Sequence, residues 1–207
     1  TTVGGDTLGK RGTAFKMALD GTLTTLATFT DGAPWAGLIQ GTNGNFYGTT
    51  HHGGAYGYGT VFQMTPGGTV TTLASFNNTN GAYSEAPLIQ ANDGNFYGTT
   101  FRGGTFNRGT IFKMTPDGTL TTLHGWGDST AGLVQGADGN VYGTMGRYPI
   151  PDQGGSIPGP TYYGSAFQIS PDGALHQLAA FDGTNGNFPV ARLVQGTNGN
   201  FYGTANT

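Results

Sequence analysis

The chain has 207 residues, among them 40 glycines and 33 threonines but no cysteine, and only 9% are charged, for a net charge of −3. The missing cysteine excludes disulfide staples, zinc ribbons and thiol catalysis, and the mildly acidic balance argues against a general nucleic-acid binder. Abundant Gly and β-branched Thr disfavour helix, 12% aromatics supply a core, and no run of 18 apolar residues occurs, so an all-β chain without a membrane span is expected.

The opening TTVGGDTLGKR has no signal-peptide pattern, as expected of a mature or trimmed chain, and reads as a loop. Two strands follow within 13–29. The next unit reads as four strands: Leu38 to Gln40, then Asn45 to Thr49, Thr60 to Thr65 and Thr69 to Phe76. In the last of these, Val70, Thr72 and Ala74 are expected on one face and Thr71, Leu73 and Ser75 on the other. The turns Thr42-Asn43-Gly44 and Pro66-Gly67-Gly68 carry hairpin chemistry, since Asn-Gly accepts positive φ and Pro presets a turn.

The unit then repeats. GNFYGTT stands at 44–50 and 94–100, GNVYGTM at 139–145 and GNFYGTA at 199–205. GTAFKMALDGTLTTLATF begins at Gly12, and its counterparts begin at Gly59, Gly109 and Gly164, which are 47, 50 and 55 residues apart. A period near 50 with four short strands per unit predicts propeller blades. With the strands named A to D from axis to rim, 1–207 forms one domain of four four-stranded antiparallel blades, with an insertion at 146–163. Strands A and B at 193–204 and strands C and D at 13–29 are expected to complete one terminal blade and so remove an open edge.

The phrases GTVFQMTPGGTVTTLASF and LIQANDGNFYGTT resemble the GloVer tandem repeat, the Gloeobacter/Verrucomicrobia type. The resemblance covers essentially the whole chain. It implies a β-propeller-like domain and an exported location, and it implies no catalytic residues. The small number of copies, the insertion at 146–163 and the lack of a recognisable anchor depart from the usual pattern.

Alternation along the strands sorts the loops by face. The A-to-B and C-to-D turns are short and nearly invariant. The B-to-C and D-to-A loops vary and are expected to share the other face, where a binding site belongs. Lys10, Arg11, Arg102, Arg108 and Arg147 fall in B-to-C loops, and Trp35 and Tyr83 lie on the same face. The loops 50–58 and 100–108 are expected to lie side by side. They would set His51, His52, Tyr56, Tyr58, Arg102, Phe106, Asn107 and Arg108 along one groove, to which the insertion adds Arg147, Tyr148, Tyr162 and Tyr163. Aromatic planes beside Arg donors suit a polar glycan.

The in-register Tyr47, Tyr97, Tyr142 and Tyr202, and Phe62, Phe112 and Phe167, read as packing. The leading function is therefore a secreted or cell-surface, non-catalytic module that binds a glycan or another extracellular polymer, with no cofactor and no metal. One alternative is a self-assembling structural protein, a homo-oligomer or filament joined through its half-blades. Another is a lyase or glycosidase, for which His51, His52, Tyr56, Tyr58, Arg102, Arg108 and the lone Glu85 with Asp31 or Asp128 are the available groups. No GxSxG, P-loop or HExxH motif occurs.

Overall fold

A computed structural model describes residues 2–3, 11–125, 131–146 and 163–206. Seventeen strands occur among the described residues, and they form five antiparallel sheets. The first sheet joins β1 (Thr2–Val3), β2 (Gly12–Met17) and β3 (Leu23–Phe29). The second runs β4 (Ile39–Gln40), β5 (Phe46–Thr50), β6 (Thr60–Met64), β7 (Val70–Ser75). The third repeats it as β8 (Ile89–Gln90), β9 (Phe96–Thr100), β10 (Thr110–Met114) and β11 (Leu120–His124). The fourth comprises β12 (Val134–Gln135), β13 (Val141–Met145), β14 (Ser165–Ile169) and β15 (Leu175–Ala180). Last come β16 (Val194–Gln195) and β17 (Phe201–Tyr202), paired only with each other.

The three complete sheets are the predicted four-strand units, shifted by a residue or so at their ends. Their A-to-B turns close as expected: Gly44 donates its N–H to the carbonyl of Gly41, and Asn45 N–H bonds the Asn43 side chain. The core lies between neighbouring sheets. Tyr47, Val61 and Phe76 of the second pack against Leu88, Phe96, Phe112 and Met114 of the third. Ile89, Tyr97 and Ile111 of the third meet Leu133, Val141, Phe167 and Ile169 of the fourth. Ala14 and Phe29 meet Phe62 and Met64 in the same way. The repeated Tyr and Phe are thus packing residues, with Tyr202 exposed as the exception.

The glycine after the repeated Tyr is required by close approach. A Cβ on Gly98 would stand 2.6 Å from Phe112 Cζ and 2.7 Å from Leu88 Cδ2, and Gly48 and Gly143 are enclosed alike. The Tyr-Gly step therefore lets a Leu from strand A and a Phe from strand C close over the backbone of strand B.

Two expectations need correction. Strand D does not alternate strictly. Val61 pairs with Ala74 but Phe62 with Thr72, so Leu73 is the extra residue of a bulge. Leu26, Leu123 and Leu178 occupy the same step in the other sheets. A bulge turns its extra residue out of the pleat, and here that residue faces the next sheet. The second correction concerns closure. The segment 193–204 pairs with neither β2 nor β3, and Thr2–Val3 lies on the free edge of β2 opposite Gly12–Thr13. Most of the insertion 146–163 lies outside the described residues.

Candidate functional site

The B-to-C loops 51–59 and 101–109 share one backbone template. Gly57 donates its N–H to Gly54 and Gly59 to Gly53, and Asn107 and Gly109 repeat these bonds to Gly104 and Gly103. A buried threonine pair starts each loop. Thr100 Oγ1 accepts from Thr110 N–H at 2.9 Å, lies 2.9 Å from Thr110 Oγ1 and donates to the carbonyl of Arg102. Thr50 and Thr60 repeat the arrangement below His52.

The D-to-A loops are laced between these hairpins. His51 N–H bonds the Ala33 carbonyl at 2.7 Å, and Asp31 Oδ2 accepts from Gly54 N–H at 2.9 Å. Ala82 and Arg102 exchange both backbone bonds, Tyr83 N–H bonds Tyr58, and Phe101 N–H bonds Tyr83. The variable loops therefore do share one face, and the segment 82–83 ties loop 51–58 to loop 101–108.

This lacing assembles an aromatic cluster around His51. Trp35 stacks on its ring at 3.9 Å and 18°, and Tyr83 lies beyond it at 5.0 Å and 21°. His52 stands edge-on to His51 at 4.2 Å, and Tyr58 meets Tyr83 at 5.9 Å. Tyr83 is held at φ 59, a left-handed conformation rare for a bulky residue. His51 Nε2 is 3.2 Å from Glu85 Oε1, while Nδ1 is buried without a hydrogen-bond partner. Burial lowers the His51 pKa to about 4, helped by His52. At neutral pH this contact is thus a hydrogen bond from a neutral imidazole to a carboxylate, with Nε2 carrying the proton.

The predicted site residues divide. His51, His52 and Tyr58 gather around Tyr83. Tyr56 and Phe106 occupy equivalent loop tips, both exposed. The Arg102 guanidinium lies 4.2 Å over the ring of its neighbour Phe101. Asn107 shapes its loop instead: it sits at φ 53 where the sister loop has Gly57, and its Oδ1 accepts from Gly103 N–H at 3.0 Å. Asn tolerates this conformation better than most residues. Arg108 lies one step beyond Asn107 in the same loop. Tyr163 packs at the last full sheet, where its carbonyl accepts from Phe188 N–H at 2.6 Å. Arg147, Tyr148 and Tyr162 lie outside the described residues. Sequence reasoning placed Trp35, Tyr83 and Glu85 on this face but left them out of the site. Among the described residues, no group of three or more His, Cys, Asp or Glu side chains is placed to hold a metal ion.

A profile of the Gloeobacter/Verrucomicrobia repeat matches residues 1–155. The chain belongs to this repeat family. No curated protein sequence matches the GloVer chain. Its fold is similar to that of a gluconolactonase from Xanthomonas campestris, at 18% identity and TM-score 0.60 over 97% of this chain and 64% of that one. It is also similar to a chain of a nidogen/laminin complex, at 14% identity and TM-score 0.54 over 83% of this chain and 56% of the other. A luciferin-regenerating enzyme aligns at 14% identity and TM-score 0.51, over 94% and 64%. The GloVer chain thus spans less than two thirds of each of these solved chains. Its sheets and neighbours make it an all-β, propeller-like repeat protein.

Proposed function

We propose that this is a non-catalytic binding module, secreted or held at a cell surface, that recognises a glycan or similar polymer on its variable-loop face. The observation that carries the reading is the set of exposed rings of Trp35, Tyr56 and Phe106 on that face. Each stands on a hairpin or loop fixed by backbone hydrogen bonds. Rigid rings with a solvent-facing plane stack on sugars at little entropic cost. His51 and Tyr83 back the Trp35 plane, and Arg102 and Arg108 add donors suited to carboxylate or sulfate groups.

The test is affinity electrophoresis through gels containing neutral or acidic polysaccharides, read beside the intrinsic fluorescence of the protein. Retardation is expected for the wild type and is lost in Tyr56→Ala/Phe106→Ala at unchanged melting temperature, and in Trp35→Ala at a temperature where that variant is still folded. Arg102→Ala/Arg108→Ala should remove only the salt-sensitive part. A wild type that migrates alike in every gel overturns the reading. The four-blade count belongs to the same proposal.

A further inference from the structure

Successive sheets are joined to one pattern. The C-to-D turns abut the bulged Leu of the preceding sheet, with Gly68 on Leu26, Gly118 on Leu73 and Gly173 on Leu123. The side chains of Gln90, Gln135 and Gln195 accept N–H bonds from the preceding turn, at Thr42, Asn92 and Ala137. The joint between the first and second sheets departs from its neighbour at the loop end.

The D-to-A loops 30–36 and 77–86 follow the buried Phe29 and Phe76. Gly32 and Gly81 hold one place in the two loops. A Cβ on Gly32 would lie 3.0 Å from Thr50 Oγ1, and one on Gly81 would lie 2.8 Å from Thr100 Oγ1. Asp31 and Asn78 correspond as well, because the carbonyl of each stands against the first glycine of a B-to-C loop, Gly53 or Gly103. Between these points the longer loop carries Thr79 and Asn80, and in the shorter one Gly32 follows Asp31 directly. The Asn80 carbonyl accepts from the Thr110 hydroxyl at 3.2 Å and, at a longer 3.5 Å, from that of Thr122. The counterparts of these threonines in the second sheet are Thr60 and Thr72. There, in place of a turn, lies a cavity of about 190 Å³. Thr28, Phe29, Asp31, Thr60, Phe62 and Thr72 line it.

We infer that this cavity takes the acetamido group of an N-acetylated amino sugar, an inference that rests on the sugar-binding reading of the loop face. The acetamido carbonyl stands where the sister joint has the Asn80 carbonyl, within reach of the Thr60 and Thr72 hydroxyls. Its N–H finds an acceptor in Asp31, whose Oδ2 takes the Gly54 N–H at 2.9 Å and whose carboxylate has lone pairs to spare. Its methyl meets the rings of Phe29 and Phe62, which pack 5.0 Å apart. The Asp31 carboxylate repels an acidic or sulfated substituent here, so the cavity selects a neutral amide. Its volume is below the roughly 300–1,000 Å³ usual for a pocket that encloses a whole small molecule, and suits one sugar unit or its side group. The same loop carries the exposed Trp35 ring, so the plane and the cavity are held by one segment.

The test is amide NMR on labelled protein titrated with the methyl glycosides of N-acetylglucosamine and N-acetylgalactosamine, beside those of glucose and galactose. The acetylated pair is expected to shift the Gly32, Thr60 and Thr72 amides and to bind about tenfold more tightly than the pair with a 2-hydroxyl. Thr72→Val, at an exposed position, should weaken that binding about threefold to tenfold. Replacing Thr30-Asp31 by the Asn-Asn-Thr-Asn of the sister loop fills the cavity and should abolish it. Unchanged melting curves check that both variants are folded. Equal affinity for the two pairs of glycosides overturns the inference, as do shifts confined to other residues, a blocked Ala-Ala peptide bound as tightly as the acetylated sugars, or wild-type binding by the loop replacement. If gels still retard the protein in any of these cases, the loop-face reading stands and the cavity assignment alone falls. A protein that no gel retards, but that takes the acetylated glycosides at these residues, keeps the cavity and loses that reading.

Discussion

His51 and Glu85 are 34 residues apart in the chain, yet Nε2 of the one lies 3.2 Å from Oε1 of the other. The D-to-A loop that carries Tyr83 and Glu85 is pinned by backbone bonds to Tyr58 and Arg102, which brings the carboxylate onto the imidazole edge. The aromatic stack and the polar contact are therefore one construction.

That construction makes stability depend on pH. The folded imidazole pKa is held down near 4, against about 6.5 in the unfolded chain. The unfolded chain binds the extra proton between these values, so the stabilisation is complete above pH 6.5 and is lost as pH falls towards 4. Urea melts at pH 7.5 and 4.5 are expected to differ by on the order of 1–2 kcal/mol more in the wild type than in His51→Phe, less than the whole shift would give because solvent screening and the nearby Glu85 carboxylate ease protonation. The sister loop already holds Phe101 at this position, so the variant should fold. Equal pH dependence in the two proteins would refute this role for His51.

Thr100→Val keeps the shape of the side chain but removes a hydroxyl with three partners. Thr110 N–H and the Arg102 carbonyl lose that partner in a buried site, at a cost of about 1–3 kcal/mol. Thr50→Val is expected to cost a similar amount. Chemical denaturation reads both, and Met145→Leu at the equivalent place in the third repeat serves as the control, with a loss below about 1.5 kcal/mol.

Gly98→Ala should destabilise by about 1–3 kcal/mol, because its new methyl meets both Phe112 and Leu88. Gly203→Ala meets Leu193 alone. It is expected to cost clearly less than Gly98→Ala. Thermal melts of the two variants compare them directly, and equal losses would contradict the packing described for the Tyr-Gly step.

Asn107→Gly is expected to leave polysaccharide retardation unchanged, since the left-handed backbone is retained. Asn107→Val should lower stability by about 1–2 kcal/mol by forcing a β-branched residue to φ 53. A loss of binding in a fully stable Asn107→Gly protein would return Asn107 to the ligand-contacting set.

The repeats made the sheets legible because the strands are short and rich in Thr, Val and Phe, and the A-to-B and C-to-D turns carry Asn-Gly, Asp-Gly or Gly-Gly. Face assignment followed from the loop order alone. The bulge at Leu26, Leu73, Leu123 and Leu178 was not legible, since a strand of Thr and Leu satisfies alternation with or without it. The role of Asn107 could have been found by aligning HHGGAYGYG with FRGGTFNRG, which sets it opposite Gly57. The pairing of His51 with Glu85 has no such signal. It depends on how far the loop 77–86 travels across the face, which is set by the backbone bonds at Ala82 and Tyr83 together with those of Asn78 and the Ser84 hydroxyl on the Thr99 carbonyl.

The three glutamines that reach back to the preceding turn act where neighbouring sheets come closest in sequence order, at Thr42, Asn92 and Ala137. Each is a clasp from one strand A to the turn before it, and the same clasp recurs at three successive joints. Three successive joints are thus held in one register by one kind of side chain. Shortening it by a methylene, as Gln→Asn does, takes the amide oxygen out of reach of the turn N–H it accepts from, and marks that joint as the one to loosen first.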